Sequence, residues 1–223
     1  LDNRTILSSS DDGSVKIWIL LGSSEAARLL GHSSPVRKAI FSPNNEIIAT
    51  ASDDATVRLW SWKLGLAESG ISRALLQRHL GPVTAVAFSS SGMELATSSS
   101  DGAVKMWHFT NTNLAGVKTF SPHQGVPIRG LAFNGTSLAT VADDGVARLW
   151  DYTTFAAGPV LYQHQKPARA VALSPDGRLG ATSAWDCSIV VSQLGSQSPS
   201  VLFTGNSHTD WPETLAFSSD SKL

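Results

Sequence analysis

What most constrains this chain is a phrase that returns five times: SSSDDGSVKIW ending at Trp18, TASDDATVRLW at Trp60, TSSSDGAVKMW at Trp107, TVADDGVARLW at Trp150 and TSAWDCSIVVS at Ser192. Successive phrase ends stand 42, 47, 43 and 42 residues apart. Self-similarity at that period marks a stacked array, in which each repeat is one supersecondary unit whose apolar face is covered only by its neighbours. A second series keeps the same beat. His32, His79, His123, His164 and His208 each stand nine or ten residues before Phe41, Phe88, Phe133, Leu173 and Phe217.

Within one period the residues read as strands. VRKAIF, EIIATAS and TVRLW alternate or run apolar over short lengths, and turn residues such as SPNN, DDA and SSSG separate them. A fourth strand before each His is weaker, as in ARLLG, RALLQR, VKTFS, GPVLYQ and SVLFTG. Helical periodicity is not evident. The 18 glycines and 10 prolines fall mainly between the apolar runs, which keeps missing donors and flexible backbone out of central strands.

The order His, strand, hydroxyl-x-x-x-Asp, then apolar residues ending in Trp resembles the WD-repeat family across the whole chain. The five-fold spacing carries the likeness, because only Gly31-His32 and Trp150-Asp151 keep the dipeptides for which such repeats are known. The resemblance implies an all-β fold, a β-propeller of four-stranded antiparallel blades, with residues 1–223 forming one domain or a segment of one. It also implies a hydrogen-bonded tetrad in each blade. The four members are the His, the hydroxyl of the second strand, the Asp of the tight turn and the indole of the third strand. Four complete or nearly complete sets are His32, Thr50, Asp54, Trp60; His79, Thr97, Asp101, Trp107; His123, Thr140, Asp144, Trp150; and His164, Thr182, Asp186 with Ser192 in the Trp position. The fifth combines His208 with Ser8, Asp12 and Trp18. A buried imidazole, hydroxyl or indole N–H left unpaired costs about 1–3 kcal/mol, which is a physical reason for these types to recur together. The last phrase also has Cys187 where Gly13 and Gly102 stand and Trp185 just before the Asp, so its blade is expected to be the least firmly tied.

His, Ser or Thr, and Asp are also the ingredients of a hydrolytic triad. Repetition argues against that reading, because an enzyme needs one such constellation in one cleft, whereas here it recurs around the array. No catalytic residue is assigned. The five histidines of the series come one per repeat with no second ligand at metal spacing, and neither a GxxxxGK[ST] loop nor a GxGxxG turn occurs, so no metal and no cofactor are expected. Asn3-Arg4-Thr5 and Asn134-Gly135-Thr136 match the glycosylation acceptor pattern, but both fall where the repeat needs a hairpin turn.

Composition narrows the partners. With 17 Lys and Arg against 18 Asp and Glu, the chain has a net charge of −1 and no broad basic field, so nucleic acid is not expected. No apolar run is long enough to span a bilayer, so no membrane partner is expected either. Cys187 is the only cysteine, which favours a reducing compartment, cytoplasmic or nuclear.

The family resemblance places a protein or peptide ligand on the face that carries the loops and tight turns. Its frequent contact positions, two alternate residues of the first strand, fall on Pro35 and Arg37, Pro82 and Thr84, Pro127 and Arg129, Pro167 and Arg169, and Trp211 and Glu213. The residue before each turn Asp adds Asp11, Asp53, Ser100, Asp143 and Trp185. From these, the expected partner-binding rim is Arg37, Asp53, Arg129, Asp143, Arg169, Trp185, Trp211 and Glu213. Two function classes follow: a non-enzymatic scaffold or sensor module, favoured by the resemblance, and a propeller enzyme acting at the channel mouth. The segments at the two ends, LDNRT and SDSKL, occupy the same repeat phase, so five periods are cut between a first and a second strand. Either the halves close a five-bladed ring, or the chain is a segment of a larger one, whose incomplete terminal blade offers a route to self-association.

Overall fold

A computed structural model describes residues 5–20, 24–62, 72–76, 78–110, 113–135, 137–195, 199–206 and 208–218. Residues 1–4 and 219–223, on which the comparison of the two chain ends rests, lie outside the described residues, as do Asn3 and Thr136 of the two acceptor patterns.

Every regular element is a strand, and the strands form consecutive antiparallel meanders. The first sheet holds β1 (Thr5–Ser9), β2 (Val15–Ile19) and β3 (Ser24–Leu29); the second holds β4 (Val36–Phe41), β5 (Ile47–Ser52), β6 (Val57–Ser61) and β7 (Ser72–Leu75). The third runs through β8 (Val83–Phe88), β9 (Glu94–Ser99), β10 (Val104–Thr110) and β11 (Asn113–Phe120). The fourth comprises β12 (Ile128–Asn134), β13 (Ser137–Ala142), β14 (Val146–Asp151) and β15 (Ala157–Gln163), and the fifth β16 (Ala168–Leu173), β17 (Leu179–Ala184), β18 (Ile189–Gln193) and β19 (Ser200–Gly205). The chain divides into two compact units, Leu1–Asp101 with Met106–Val117, and Gly102–Lys105 with Lys118–Leu223.

The first sheet agrees with a repeat cut between its first and second strands, while the segment before Phe217 differs from expectation. The first sheet has three described strands, and β1 and β2 carry Ser8 and Trp18 in the roles that β5 and β6 give to Thr50 and Trp60. The segment that ends at Phe217, expected to be a strand, forms none among the described residues. A strand exists only by its ladder, and among the described residues of its own unit none pairs with this segment.

The cores lie between neighbouring sheets. In the first unit Ala49, Ala51, Val57 and Leu59 of the second sheet meet Val83, Val86, Leu95, Trp107 and Phe109 of the third. Val15, Ile17 and Leu29 of the first sheet meet Val36, Ile48, Trp60 and Trp62. In the second unit Ala139, Val141, Ala147 and Leu161 pack against Ala168 and Val171. Small residues on the inner strands allow this close stacking. A Cβ added at Gly130 would stand 3.1 Å from Val141 and 3.2 Å from the carbonyl of Arg169 on the next sheet.

The tight turn between second and third strands always places the residue after its Asp in the left-handed region. Gly13, Gly102 and Gly145 have φ of 80°, 81° and 78°, while Ala55 and Cys187 take 66° and 62° with a side chain in place. Glycine adopts this conformation without steric cost, whereas an L side chain there is strained by about 1–2 kcal/mol. Replacing Ala55 or Cys187 by Gly is expected to raise stability by about 0.5–1 kcal/mol, the relief of strain exceeding the added flexibility of the unfolded chain. Gly102→Ala should do the opposite, since its Cβ would lie 2.4 Å from the backbone of Gly125. Urea melts of the three variants check both signs.

Candidate functional site

The recurring His, Thr, Asp and Trp meet as hydrogen-bonded brackets. In the second sheet His32 Nδ1 lies 2.8 Å from Asp54 Oδ2, His32 Nε2 lies 2.7 Å from Thr50 Oγ1, and the Trp60 indole N–H donates to the same hydroxyl at 2.9 Å. The ladder explains the last contact. Trp60 stands opposite Ile48, two residues from Thr50 on the same face, a diagonal pair that a large side chain can bridge. In the fourth sheet the corresponding distances are 2.9 Å for His123 to Asp144, 2.8 Å for His123 to Thr140 and 2.8 Å for Trp150 to Thr140. In the third sheet His79 Nε2 and the Trp107 indole meet Thr97 at 2.9 and 3.1 Å, while His79 Nδ1 stands 3.4 Å from Asp101. Asp101 also accepts the backbone N–H of Leu80 at 2.7 Å.

The fifth sheet modifies the bracket. His164 Nε2 still meets Thr182 at 2.9 Å, but its Nδ1 meets the hydroxyl of Ser188, which in turn donates to Asp186. Ser192, in place of the indole, donates to the carbonyl of Leu161 at 3.2 Å. In the first sheet the Trp18 indole donates to Ser8 at 2.9 Å, and Asp12 accepts from the hydroxyl and N–H of Ser14. His208 is exposed, unlike the other four histidines of the series, whose side chains are at most 2% exposed. Ser14, Thr56 and Ser188, two residues after the turn Asp, each bond its carboxylate and were not singled out from the sequence. The recurrence of a hydroxyl at that spacing was the signal that could have found them.

The rings of His32, His79 and His123 have the connectivity of a hydrolytic triad, with Nδ1 toward the carboxylate and Nε2 toward the hydroxyl, and that of His164 reaches its carboxylate through Ser188. The hydroxyl is not a nucleophile in any of the four. Thr50, Thr97, Thr140 and Thr182 are at most 1% exposed, and in the first three the oxygen also accepts an indole N–H, so no substrate carbonyl can reach it. Among the described residues no three His, Cys, Asp or Glu side chains converge to hold a metal ion.

Burial pushes His32 and His164 below the ordinary imidazole value of 6.5, because desolvation opposes the imidazolium more than Asp54 or Asp186 favours it. Burial alone would raise Asp54, but hydrogen bonds from Thr56, His32 and the N–H groups of Ser33 and Thr56 prevail and hold its carboxyl at about 2.

The rim positions sit where each first strand begins beside the tight turn. The N–H groups of Asp53, Ser100, Asp143 and Trp185 donate to the carbonyls of Pro35, Pro82, Pro127 and Pro167, at 2.9 Å in the first case and 3.0 Å in the others. Every first strand then carries a register shift at one position: between Val36 and Lys38, Val83 and Ala85, Ile128 and Gly130, and Ala168 and Ala170. The residues skipped by the ladder are Arg37, Thr84, Arg129 and Arg169. A bulge re-aims the side chain it carries. Arg37 uses it to pair with Asp53, with Nε 2.9 Å from both carboxylate oxygens, and reaches Asp11 at 3.3 Å. Arg129 makes a fork on Asp143, whose carboxylate raises the guanidinium further above its ordinary value. Arg169 makes a fork on Glu213 at 3.0 and 3.1 Å. In the third sheet Thr84 meets Ser98 at 3.0 Å instead.

Trp185 and Trp211 stack with centroids 4.9 Å apart and planes at 20°, and the Arg169 guanidinium lies 5.9 Å from the Trp185 ring. The sequence reading named these residues. The places of the two tryptophans in successive repeats already suggested that they come close across the rim; the arginine forks were not visible to it.

Repeated antiparallel sheets, joined by His, Thr, Asp and Trp brackets and edged by charged bulge residues, define a bladed repeat protein. The family model described as WD domain, G-beta repeat matches residues 1–18, 23–61, 70–108, 116–151 and 158–191, and the chain belongs to that family. It is 57% identical over 37 residues to a probable cytosolic iron-sulfur protein assembly protein, the CIAO1 homolog of Schistosoma japonicum, an alignment covering 17% of this chain and 10% of that one. It is 36% identical over 56 residues to apoptotic protease-activating factor 1 of Danio rerio, covering 25% and 4%. It is 40% identical over 58 residues to nuclear distribution protein PAC1 of Mycosarcoma maydis, covering 26% and 13%. The matches thus span 4 to 13% of the length of these relatives. No helix among the described residues is long and apolar enough to cross a membrane.

Removing a bracket member strands its partners. Asp54→Ala and His79→Ala are each expected to cost about 1–3 kcal/mol in a denaturant melt. The pH dependence has a definite sign. Because His32 and His164 are harder to protonate folded than unfolded, their contribution is present above 6.5 and lost as pH falls below it, whereas that of Asp54 is present above 3.8 and lost as pH falls toward 2. The urea midpoint is expected to fall between about pH 7.5 and about pH 5, and to fall less in His164→Asn, which removes one of the titrating groups.

Proposed function

We propose that this chain is a non-catalytic interaction module that holds a protein or peptide partner on the rim formed by the first-strand bulges and tight turns. One observation carries the reading. The His, Thr and Asp chemistry that could have served catalysis is consumed inside the brackets, while the neighbouring rim positions present side chains to solvent. Arg37 is 47% exposed, Trp185 36% and Trp211 49%, and all three stand on backbone fixed by ladder or turn hydrogen bonds or by side-chain contacts. Arg and Trp are the residue types that dominate interface energies when they find complementary pockets.

The names of relatives support the same direction. Relatives are named as a probable cytosolic iron-sulfur protein assembly protein, a transcription initiation factor TFIID subunit of Arabidopsis thaliana and pre-mRNA-processing factor 19 of Bos taurus, the first two names speaking of assembly and of a subunit. These names also support a cytoplasmic or nuclear location. A protein partner, rather than nucleic acid or membrane, fits a chain of net charge −1.

The test compares co-purifying proteins from the wild-type chain with those from an Arg129→Ala, Trp185→Ala double variant and from Leu202→Ser, which changes an exposed residue of β19 away from the turns. A partner retained by Leu202→Ser and lost from the double variant, with the melting temperatures of all three equal, is the expected result. Retention by all three would overturn the rim assignment.

A further inference from the structure

We propose that the Trp185–Trp211 stack is the docking point for a basic, extended peptide segment of a partner protein, one of whose Arg or Lys side chains lies on the open face of Trp211 beside Asp210 and Glu213. The proposal rests on the rim reading above and adds the partner's chemistry to it.

Two large aromatic side chains have no folding reason to stand in a turn and in a strandless segment, and both are substantially exposed. Their stack has two outer faces. The Arg169 guanidinium stands by Trp185, held by its fork on Glu213, so one ring already has a cation beside it. Trp211 carries no ring or cation contact among the described residues apart from Trp185, and it is the more exposed of the two. An aromatic face is the negative pole of the ring quadrupole and attracts a cation.

Charge selects among ligands. The arginines of the second unit's rim are already engaged by carboxylates of the same chain, so they are poorly placed to receive an acidic ligand. Beside Trp211 the Glu213 carboxylate is balanced by its fork on Arg169, and the exposed Asp210 is the carboxylate next to the ring that no cation of the chain pairs among the described residues. Asp210 accepts the backbone N–H of Trp211 at 2.7 Å through Oδ1 and is exposed, and Glu213, although forked on Arg169, keeps a side chain 60% exposed, so each retains oxygen surface that a cation can meet. An acidic segment would be repelled there, and a neutral one would gain nothing from the carboxylates.

The experiment is calorimetric titration of the whole chain at low salt with an acetylated, amidated peptide of alternating Arg and Ala, against a Glu and Ala peptide of equal length. The Arg peptide is expected to bind and the Glu peptide not, with binding weakened by raised salt. Trp211→Ala is expected to weaken it about fivefold and Asp210→Asn about threefold, while Trp211→Phe retains most of it and the melting temperatures stay unchanged. Equal binding of the two peptides, binding of neither, or an undiminished affinity in Trp211→Ala would overturn the proposal. Should that happen while the Arg129→Ala, Trp185→Ala variant still loses its partner in the pull-down, the rim reading stands and only the basic-segment assignment falls.

Discussion

The arrangement depends on buried histidines, two of which visibly belong to two sheets at once. The backbone N–H of His79 donates to the carbonyl of Ala55 in the turn of the sheet the chain is leaving, and its ring bonds Thr97 in the sheet the chain is joining. His164 does the same between Gly145 and Thr182. Sheets stacked face to face through Val, Leu and Ala can slide, because apolar contact is non-directional. A buried imidazole with fixed partners on both sides cannot slide without leaving polar groups unsatisfied. The histidine thus converts hydrophobic stacking into a defined register between sheets.

That constraint also explains where variation is tolerated. In the fifth sheet the indole is absent, yet Thr182 is still engaged by His164, and Ser188 relays the imidazole to Asp186. The essential feature is satisfaction of the buried groups rather than the identity of each donor. The turn Asp shows the same economy. Asp54 accepts from the ring of His32, the N–H of Ser33 and both donors of Thr56, and this sum of donors keeps it ionised against burial. A turn held this tightly can tolerate Ala55 in a left-handed conformation that would otherwise favour glycine.

The legible parts of the fold were those encoded at short, fixed spacing. A hydroxyl, an Asp four residues later and a Trp six beyond that map onto adjacent strands of one hairpin, so the bracket follows from the ladder once the period is seen. The bulges were not legible. A single skipped residue at Arg37 or Arg129 leaves an apolar pattern such as VRKAIF looking continuous, while the physical outcome is a side chain turned toward the rim. The forks on Asp53, Asp143 and Glu213 were hidden for the same reason, since their partners were read as separate members of a mixed-charge ring. The strand expected at Phe217 shows a different limit. Its residues alternate as a strand should, but a strand is a property of a pair, and among the described residues of its own unit none pairs with it.

These hidden pairings bear on what the proposed rim would recognise. Read as free charges, three Arg and several acids suggest a surface indifferent to the sign of its partner. Read as forks, the arginines are fixed posts with much of their charge balanced, and in the proposed binding the residues left to discriminate are the aromatic pair and the carboxylates beside it. A guanidinium on a bulge and held by two parallel hydrogen bonds has lost much of its rotamer freedom during folding, so little further entropy is lost when a partner packs against it. Preorganisation of this kind favours a surface that binds by shape and by a few aromatic contacts over one that gathers ligands through a general field, and it arises from the same turns that the buried histidines hold in place.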